Sequence, residues 1–271
     1  MSIDVVLVTY NSSSFLERLS ETLSATEMVS SVTVVDNDSS DASVELAHRL
    51  DWGTPVVQVI SSPTNIGFGA AMNLGVRSVP ASSKHLLLIN PDVAVDREAL
   101  STLVAELDRN ERLACVGASL SDSEGHAVSS ARELPTRRSI ALRRVAEVSA
   151  KSHGSTQAGW ICGALMLWRK EAFDETGGFS ADYFLYYEDT DICRRAQQLG
   201  YSVALVAGAN AIHDQGHGEA TTPALRKWNR QSRRRYARNW LGLGGVLAAL
   251  AADAGDWLGS ARRKLGRGVS K

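Results

Sequence analysis

The sequence predicts an α/β protein built on a mostly parallel, twisted sheet flanked by helices, and three observations carry that expectation. Four short runs rich in Val, Ile and Leu fall in the first third of the chain, at residues 3–9, 32–36, 56–60 and 85–89. Amphipathic stretches lie between them, such as Phe15, Leu16, Leu19 and Leu23, and then Val44, Ala47 and Leu50. Strands buried on both faces and alternating with helices are the signature of βαβ units. Apolar residues make up 44% and charged residues 22% of the 271, a balance that excludes disordered, collagen-like and disulfide-scaffold classes.

Further along, a helix is expected from about 96 to 110 with Asp96 as its N-cap, leading to a strand at 113–118. Residues 119–157 differ in kind: Ser-rich, carrying the basic run Arg137-Arg138 and Arg143-Arg144, and without a strong period. A loop that long in a compact domain is functional or mobile. Residues 158–168 read as one strand, 170–176 as a short helix, and Gly177-Gly178 as its stop. A helix at 188–199 closes on Gly200 and precedes a strand at 201–206. From Pro223 the pattern is helical, with Leu243, Val246, Leu247, Leu250, Trp257 and Leu258 at helical spacing.

Net charge is −1, but it is unevenly placed. Residues 222–271 hold 12 Lys/Arg against 2 Asp/Glu, and residues 1–221 hold 17 against 28. An acidic body with a basic tail points to an anionic partner for the tail. Arginines beside an apolar helical face read as membrane-surface binding. The alternative is that the apolar face packs on the body or on a second subunit in a homodimer, and the glycines at 242, 244 and 245 favour packing. Few aromatics interleave with the arginines, which speaks against nucleic acid. Three widely spaced cysteines fit a reducing compartment and no structural zinc. The first residues lack the basic and apolar regions of a signal peptide, and no uncharged apolar stretch reaches the ~20 residues of a spanning helix. The expectation is a cytoplasmic protein, free or at the membrane's cytoplasmic face.

Chemistry is expected where strands end. In an open parallel sheet, ligands bind beyond the carboxyl ends of the strands. Thr9-Tyr10-Asn11, Asp36 and the Asn90-Pro91-Asp92 turn would share that edge. Each acid alone is better explained as a helix cap or turn former; with the Thr9-Tyr10-Asn11 turn at the same edge they suggest a site. Gly67-Phe68-Gly69-Ala70-Ala71-Met72 mimics a dinucleotide fingerprint but has Met72 at the third small position, and no GxxxxGK[ST] loop exists. A nucleotide would therefore need other means to hold its phosphates, and a metal ion is the usual one. Glu188, Asp189 and Asp191 open a helix behind the aromatic run Tyr183 to Tyr187. The helix dipole explains one or two of them, and Asp191 can pair with Arg194 or Arg195 for only ~0.2–0.5 kcal/mol. Glu188 or Asp189 is then suited to act as a general base. His213 follows the last expected strand near the same edge.

The ordered set of segments resembles the inverting family 2 glycosyltransferases of the GT-A (Rossmann-like) fold over residues 3–217. It consists of Val8-Thr9-Tyr10-Asn11, Val35-Asp36-Asn37, Asn65-Ile66-Gly67-Phe68-Gly69 with Asn73, Asn90-Pro91-Asp92-Val93, Ser130-Ala131-Arg132, Gly163-Ala164, Gly177-Gly178-Phe179, Glu188-Asp189-Thr190-Asp191 with Arg194, and His213. The chain is especially similar to bacterial rhamnosyltransferases acting on polyprenyl-diphosphate-linked N-acetylglucosamine. The resemblance implies a catalytic domain over 1–221, with a nucleotide-sugar half at 1–118 and an acceptor half at 119–221, and a basic helical extension at 222–271. It implies that Thr9, Tyr10 and Asp36 grip the nucleoside, that Asn65, Gly67 and Asn73 lie along the nucleotide, and that Asp92 and His213 hold Mn²⁺ or Mg²⁺. Asp189 is the implied base, with Glu188 and Asp191 orienting it or the acceptor. Asn11, Asn90, Arg132, Trp160, Gly163 and Arg194 complete the implied substrate contacts. The donor would be a nucleoside-diphosphate sugar, with dTDP-rhamnose favoured, and the acceptor a polyprenyl-linked glycan. Asn90 stands where a strict Asp-x-Asp metal motif has its first acid.

Overall fold

The computed structural model describes residues 2–214 and 222–267, with side chains described as far as residue 255. The expected contributions of Trp257 and Leu258 therefore lie outside the described side chains. The chain runs β1 (Ile3–Thr9), α1 (Ser13–Ser24), β2 (Val29–Asp36), α2 (Ser43–Arg49), β3 (Val57–Ser61), α3 (Phe68–Val76), β4 (His85–Ile89), β5 (Val93–Val95), α4 (Arg97–Arg109) and β6 (Leu113–Ser121). It continues as β7 (Ala127–Val128), β8 (Ala131–Arg132), α5 (Arg137–Leu142), β9 (Ser155–Ala158), β10 (Trp160–Ile161), β11 (Leu165–Arg169), α6 (Lys170–Glu175), α7 (Glu188–Gln198), β12 (Ser202–His213) and α8 (Pro223–Arg267).

The main sheet has the order β3-β2-β1-β4-β11-β6-β12-β5. β1 to β4 are mutually parallel, β11 enters antiparallel between β4 and β6, and β6 and β12 resume the first direction. Side chains alternate across each strand, so one strand feeds two cores. Val5 and Leu7 of β1 pack with α1 and α4 on one face, and Val6 and Val8 with α3, α6 and α7 on the other. Asp96 caps α4 as expected, accepting from the Ala99 amide at 2.8 Å.

Three expectations need correction. Residues 119–157 are no structureless loop, because they contain β7, β8 and α5 and lead into β9. The single strand at 158–168 is broken at Gly159 and again at 162–164, so that β9, β10 and β11 serve different partners. The last strand runs on to His213, past a register shift at Gly208 (φ +79°).

The tail folds back on itself. α8 turns at Gly242 (φ +64°, ψ −162°), and Arg233 and Arg234 of its first arm both pair with Asp253 of its second. Ala237 and Ala249 of the two arms meet Ile140 of α5 in a small core of their own. Part of the tail's apolar face is thus packed on the body, while Leu243, Leu247 and Leu250 remain 77%, 59% and 44% exposed. Among the described residues no helix is long and apolar enough to cross a membrane.

Candidate active site

The carboxyl ends of β1, β2, β4 and β12 deliver Thr9, Asp36, Asn90 and His213 to one edge, as the sequence implied. A pocket of about 610 Å³ opens there, lined among others by Tyr10, Asn37, Asn65, Gly67, Asn90 and Asp92. That volume suits a ligand of nucleotide size. Thr9 Oγ1, Asp36 Oδ1 and Asn90 Oδ1 are buried without a partner among the described residues. Asp36 Oδ2 accepts the Ser39 amide at 3.1 Å, so its second oxygen is the one left for a ligand. Buried polar atoms ordinarily have partners; of these three residues Asn90 lines the pocket, whereas Thr9 and Asp36 are not among its lining residues.

The rim is built by side chains bonded to one another. Asn37 donates to Asn65 Oδ1 at 3.0 Å, and Asn65 Oδ1 also accepts the Gly67 amide at 3.0 Å. Asn11, in the left-handed region (φ +52°), accepts from the Ser40 amide and hydroxyl. It shapes the loop beside Tyr10, which is half exposed. Gly67 (φ +87°) starts α3, and an added Cβ there would overlap the Phe184 carbonyl oxygen. Gly67→Ala is expected to cost at least about 1–3 kcal/mol, with loss of nucleotide binding; thermal melts and calorimetric titration together check it.

Asp92 and His213 meet because three-residue β5, just after Asp92, pairs antiparallel with the end of β12, setting His213 opposite Val93. His213 Nε2 and Asp92 Oδ2 lie 3.3 Å apart, with both side chains largely buried. Neighbouring ligands about 2.0–2.1 Å from an octahedral ion are roughly 3 Å apart, so the pair fits two positions of one divalent site. Imidazole with carboxylate suits Mn²⁺ as well as Mg²⁺. A group of three ligand types, Asp122, Glu124 and His126, lies exposed at the β6–β7 turn. There Asp122 accepts the amides of Glu124 and His126, which is a turn motif in its own right.

The acid-bearing helix α7 begins abruptly. Tyr186 and Tyr187 both have positive φ (+71° and +68°), a conformation costing about 1–3 kcal/mol per residue outside glycine. Asp189 then sits beside the Gly163 turn that precedes β11, accepting the Thr190 amide at 2.6 Å and the Gly163 amide at 3.2 Å. Burial raises its carboxyl above the usual range, and those two amides pull it part of the way back. Burial pushes Glu188 well above its usual range, with Asp189 adding to the effect. Of the two, Asp189 has the two amide donors that favour its charged form. Burial also lifts the neighbouring Cys162 thiol to about 12, so it stays a thiol.

Several implied substrate contacts are occupied elsewhere. Asn73 lies outside the pocket lining: its amide donates to the Phe179 carbonyl at 2.7 Å and accepts the Phe179 amide at 2.9 Å, clamping the Gly177-Gly178 turn. Asp191 is fully engaged by Trp240 Nε1 (2.7 Å), Tyr183 Oη (3.2 Å) and Arg195 Nε (2.8 Å). Arg194 donates to Tyr236 Oη at 2.9 Å and lies 4.8 Å from the Trp240 ring centre. These two hold α8 instead of a substrate. Arg132 bonds Glu147 and pairs across β8–β10 with Trp160, outside the pocket lining. Conversely, Phe184 and Trp228 form a pocket wall, their rings stacked at 4.2 Å. Nothing in sequence links these two, 44 positions apart.

A sheet of this topology, with carboxylates and an imidazole converging where the strands end, defines a GT-A glycosyltransferase. The model of the family described as Glycosyl transferase family 2 matches residues 4–177, and the chain belongs to that family. It is 28% identical over 243 residues to N-acetylglucosaminyl-diphospho-decaprenol L-rhamnosyltransferase of Mycobacterium tuberculosis, covering 81% of this chain and 78% of that one. It is 25% identical to Rhamnosyltransferase WbbL of Escherichia coli K12, covering 86% and 91%. Among solved structures, the mannosyltransferase PcManGT of Pyrobaculum calidifontis, in complex with GDP-Man and Mn²⁺, superposes with a TM-score of 0.60 at 16% identity, covering 99% of this chain and 79% of that one.

Proposed function

We propose that this glycosyltransferase moves L-rhamnose from dTDP-L-rhamnose onto a hydroxyl of polyprenyl-diphosphate-linked N-acetylglucosamine, inverting the anomeric carbon. The observation that carries the reading is the pairing of one base with one metal-type site, in a chain similar over four-fifths of its length to a rhamnosyltransferase of that acceptor class. Transfer with inversion is a single displacement. Asp189, oriented by the Thr190 and Gly163 amides, takes the proton of the acceptor hydroxyl as that oxygen attacks the anomeric carbon. Thr9, Tyr10 and Asp36 hold the nucleoside, and the Asn37–Asn65 pair fixes the wall beside it. Asp92 and His213 would hold the divalent ion, whose charge stabilises the departing diphosphate so that no protein acid is required.

The catalytic work is assigned to residues 1–221, and residues 222–271 to a contact with the cytoplasmic face of the membrane, where a polyprenyl-linked acceptor resides. Leu243, Leu247 and Leu250 share one helical face and are exposed. Exposed arginines of the first arm, Arg230 and Arg238, complement anionic headgroups, at ~1 kcal/mol for each that reaches the surface.

Calorimetric titration with dTDP, UDP and GDP, each with Mn²⁺, with Mg²⁺ and without metal, tests the reading. Metal-dependent binding selective for dTDP is the expected result. A preference for UDP or GDP would move the donor, and no binding under any condition would overturn the assignment.

A further inference from the structure

The first arm of α8 carries a stripe of four residues at four-residue spacing: Trp228, Ser232, Tyr236 and Trp240. Such positions share one helix face. Each touches a different point of the segment that leads into and opens α7, in chain order. Trp228 stacks on Phe184 at 4.2 Å. The Ser232 hydroxyl donates to the Leu185 carbonyl at 2.8 Å. The Tyr236 ring lies 5.4 Å from the Tyr187 ring. Trp240 donates its indole N–H to Asp191 at 2.7 Å. Arg194, about one turn beyond Asp191, reaches back between Tyr236 and Trp240.

The segment so held is the one that most needs holding. Its last two residues before α7 are non-glycine residues with positive φ, and α7 has no side-chain cap at its N-terminus. Within α7 the Asp191 carboxylate lies two residues from Asp189, and two of its three donors, Trp240 and Tyr183, come from outside the helix.

We propose that the first arm of α8 is a splint for the base, and that Trp240 is a positioning residue for transfer: through Asp191 its indole N–H fixes the first turn of α7, and with it the direction in which the Asp189 carboxylate faces. The inference rests on Asp189 being the base. The tail is then part of the machinery that aligns the reacting groups, beyond any contact its second arm makes with a membrane.

Full-length Trp240→Phe keeps an aromatic ring in place and removes the N–H. The expected result is a kcat lower by about 10- to 100-fold, since small misplacements of a catalytic group have effects of this size. KM for the donor should stay unchanged, and amide hydrogen exchange over residues 184–191 should accelerate. Ser232→Ala, a smaller change, is expected to accelerate exchange around Leu185 and serves if Trp240→Phe folds poorly. Unchanged kcat in Trp240→Phe, or unchanged exchange over 184–191 in both variants, would overturn the proposal. So would parallel losses of kcat, donor affinity and Tm, which mark general destabilisation. Exchange is measured without substrate, so it judges the splint whatever the donor is. Normal turnover by Asp189→Asn would instead sink the base assignment on which the proposal rests.

Discussion

Asp189→Asn is expected to lower kcat for sugar transfer by about 10²–10⁴-fold, the range that a positioned general base contributes, while nucleotide affinity stays near wild type. The side chain lies outside the pocket lining, so binding has little reason to change. Two amide donors converge on the carboxylate; an Asn side chain can accept with only its one oxygen, which disturbs the turn slightly but leaves the helix intact. Glu188→Gln is the informative companion. Because burial pushes the Glu188 carboxyl upward, toward its uncharged form, an uncharged amide of the same shape should retain most activity. Equal losses in both variants would mean that the proton moves through the pair, and a loss confined to Glu188→Gln would reverse the roles.

The same carboxyls set the pH response. The base must be ionised, and its carboxyl is raised by burial, so activity should appear as pH climbs through a value above the ordinary carboxylate range. The two acids titrate as a unit, and a kcat profile in Asp189→Asn should lose that limb. Stability moves the opposite way. A carboxyl raised on folding adds stability that is fully present below its unfolded value and lost as pH rises through its folded value.

Removing the metal-type pair is expected to have the second largest effect. Asp92→Asn or His213→Ala should weaken metal-dependent dTDP binding by about 2–3 kcal/mol, roughly 10²-fold in Kd. Chelator treatment of the wild type should reproduce the loss, and Mn²⁺ or Mg²⁺ should restore it. The two side chains, one from the turn before β5 and one from the end of β12, lie 3.3 Å apart, so each single substitution should behave like the other. Wild-type affinity that ignores both chelator and substitution would reduce the pair to a polar contact closing the β5–β12 corner.

The strand-ending residues were legible in the sequence because a buried parallel strand is written as an unbroken apolar run whose last polar residue marks its end. Thr9 and Asp36 follow that rule, and the Asp96 cap was equally legible; His213 does not, because Gly208 and Asn210 interrupt the apolar run before it. β5, β7 and β8 escaped it because strands of two or three residues have no period to read. α3 escaped because its residues are apolar on nearly every side, wedged against β1 and β2 with Gly75 admitting Val6 and Val35. Asp191 and Arg194 have the side chains expected of substrate contacts. Their partners Trp240 and Tyr236 stand more than 40 positions later, and only the folded tail reveals that these polar groups are already engaged. Side-chain chemistry was legible locally, whereas its occupancy depended on distant packing.

Gly242 has one further consequence. Without its left-handed turn, the 45 residues of α8 would run on as a rod about 67 Å long at 1.5 Å per residue. With the turn, a single position works as a joint between two arms answering to different demands. The inner arm is constrained at four points by the base-bearing segment. On the other arm Leu243 and Leu247 are exposed and, among the described residues, make none of the contacts that hold that segment. Substitutions at these two positions are therefore expected to alter what the outer face meets while leaving the alignment of the base intact.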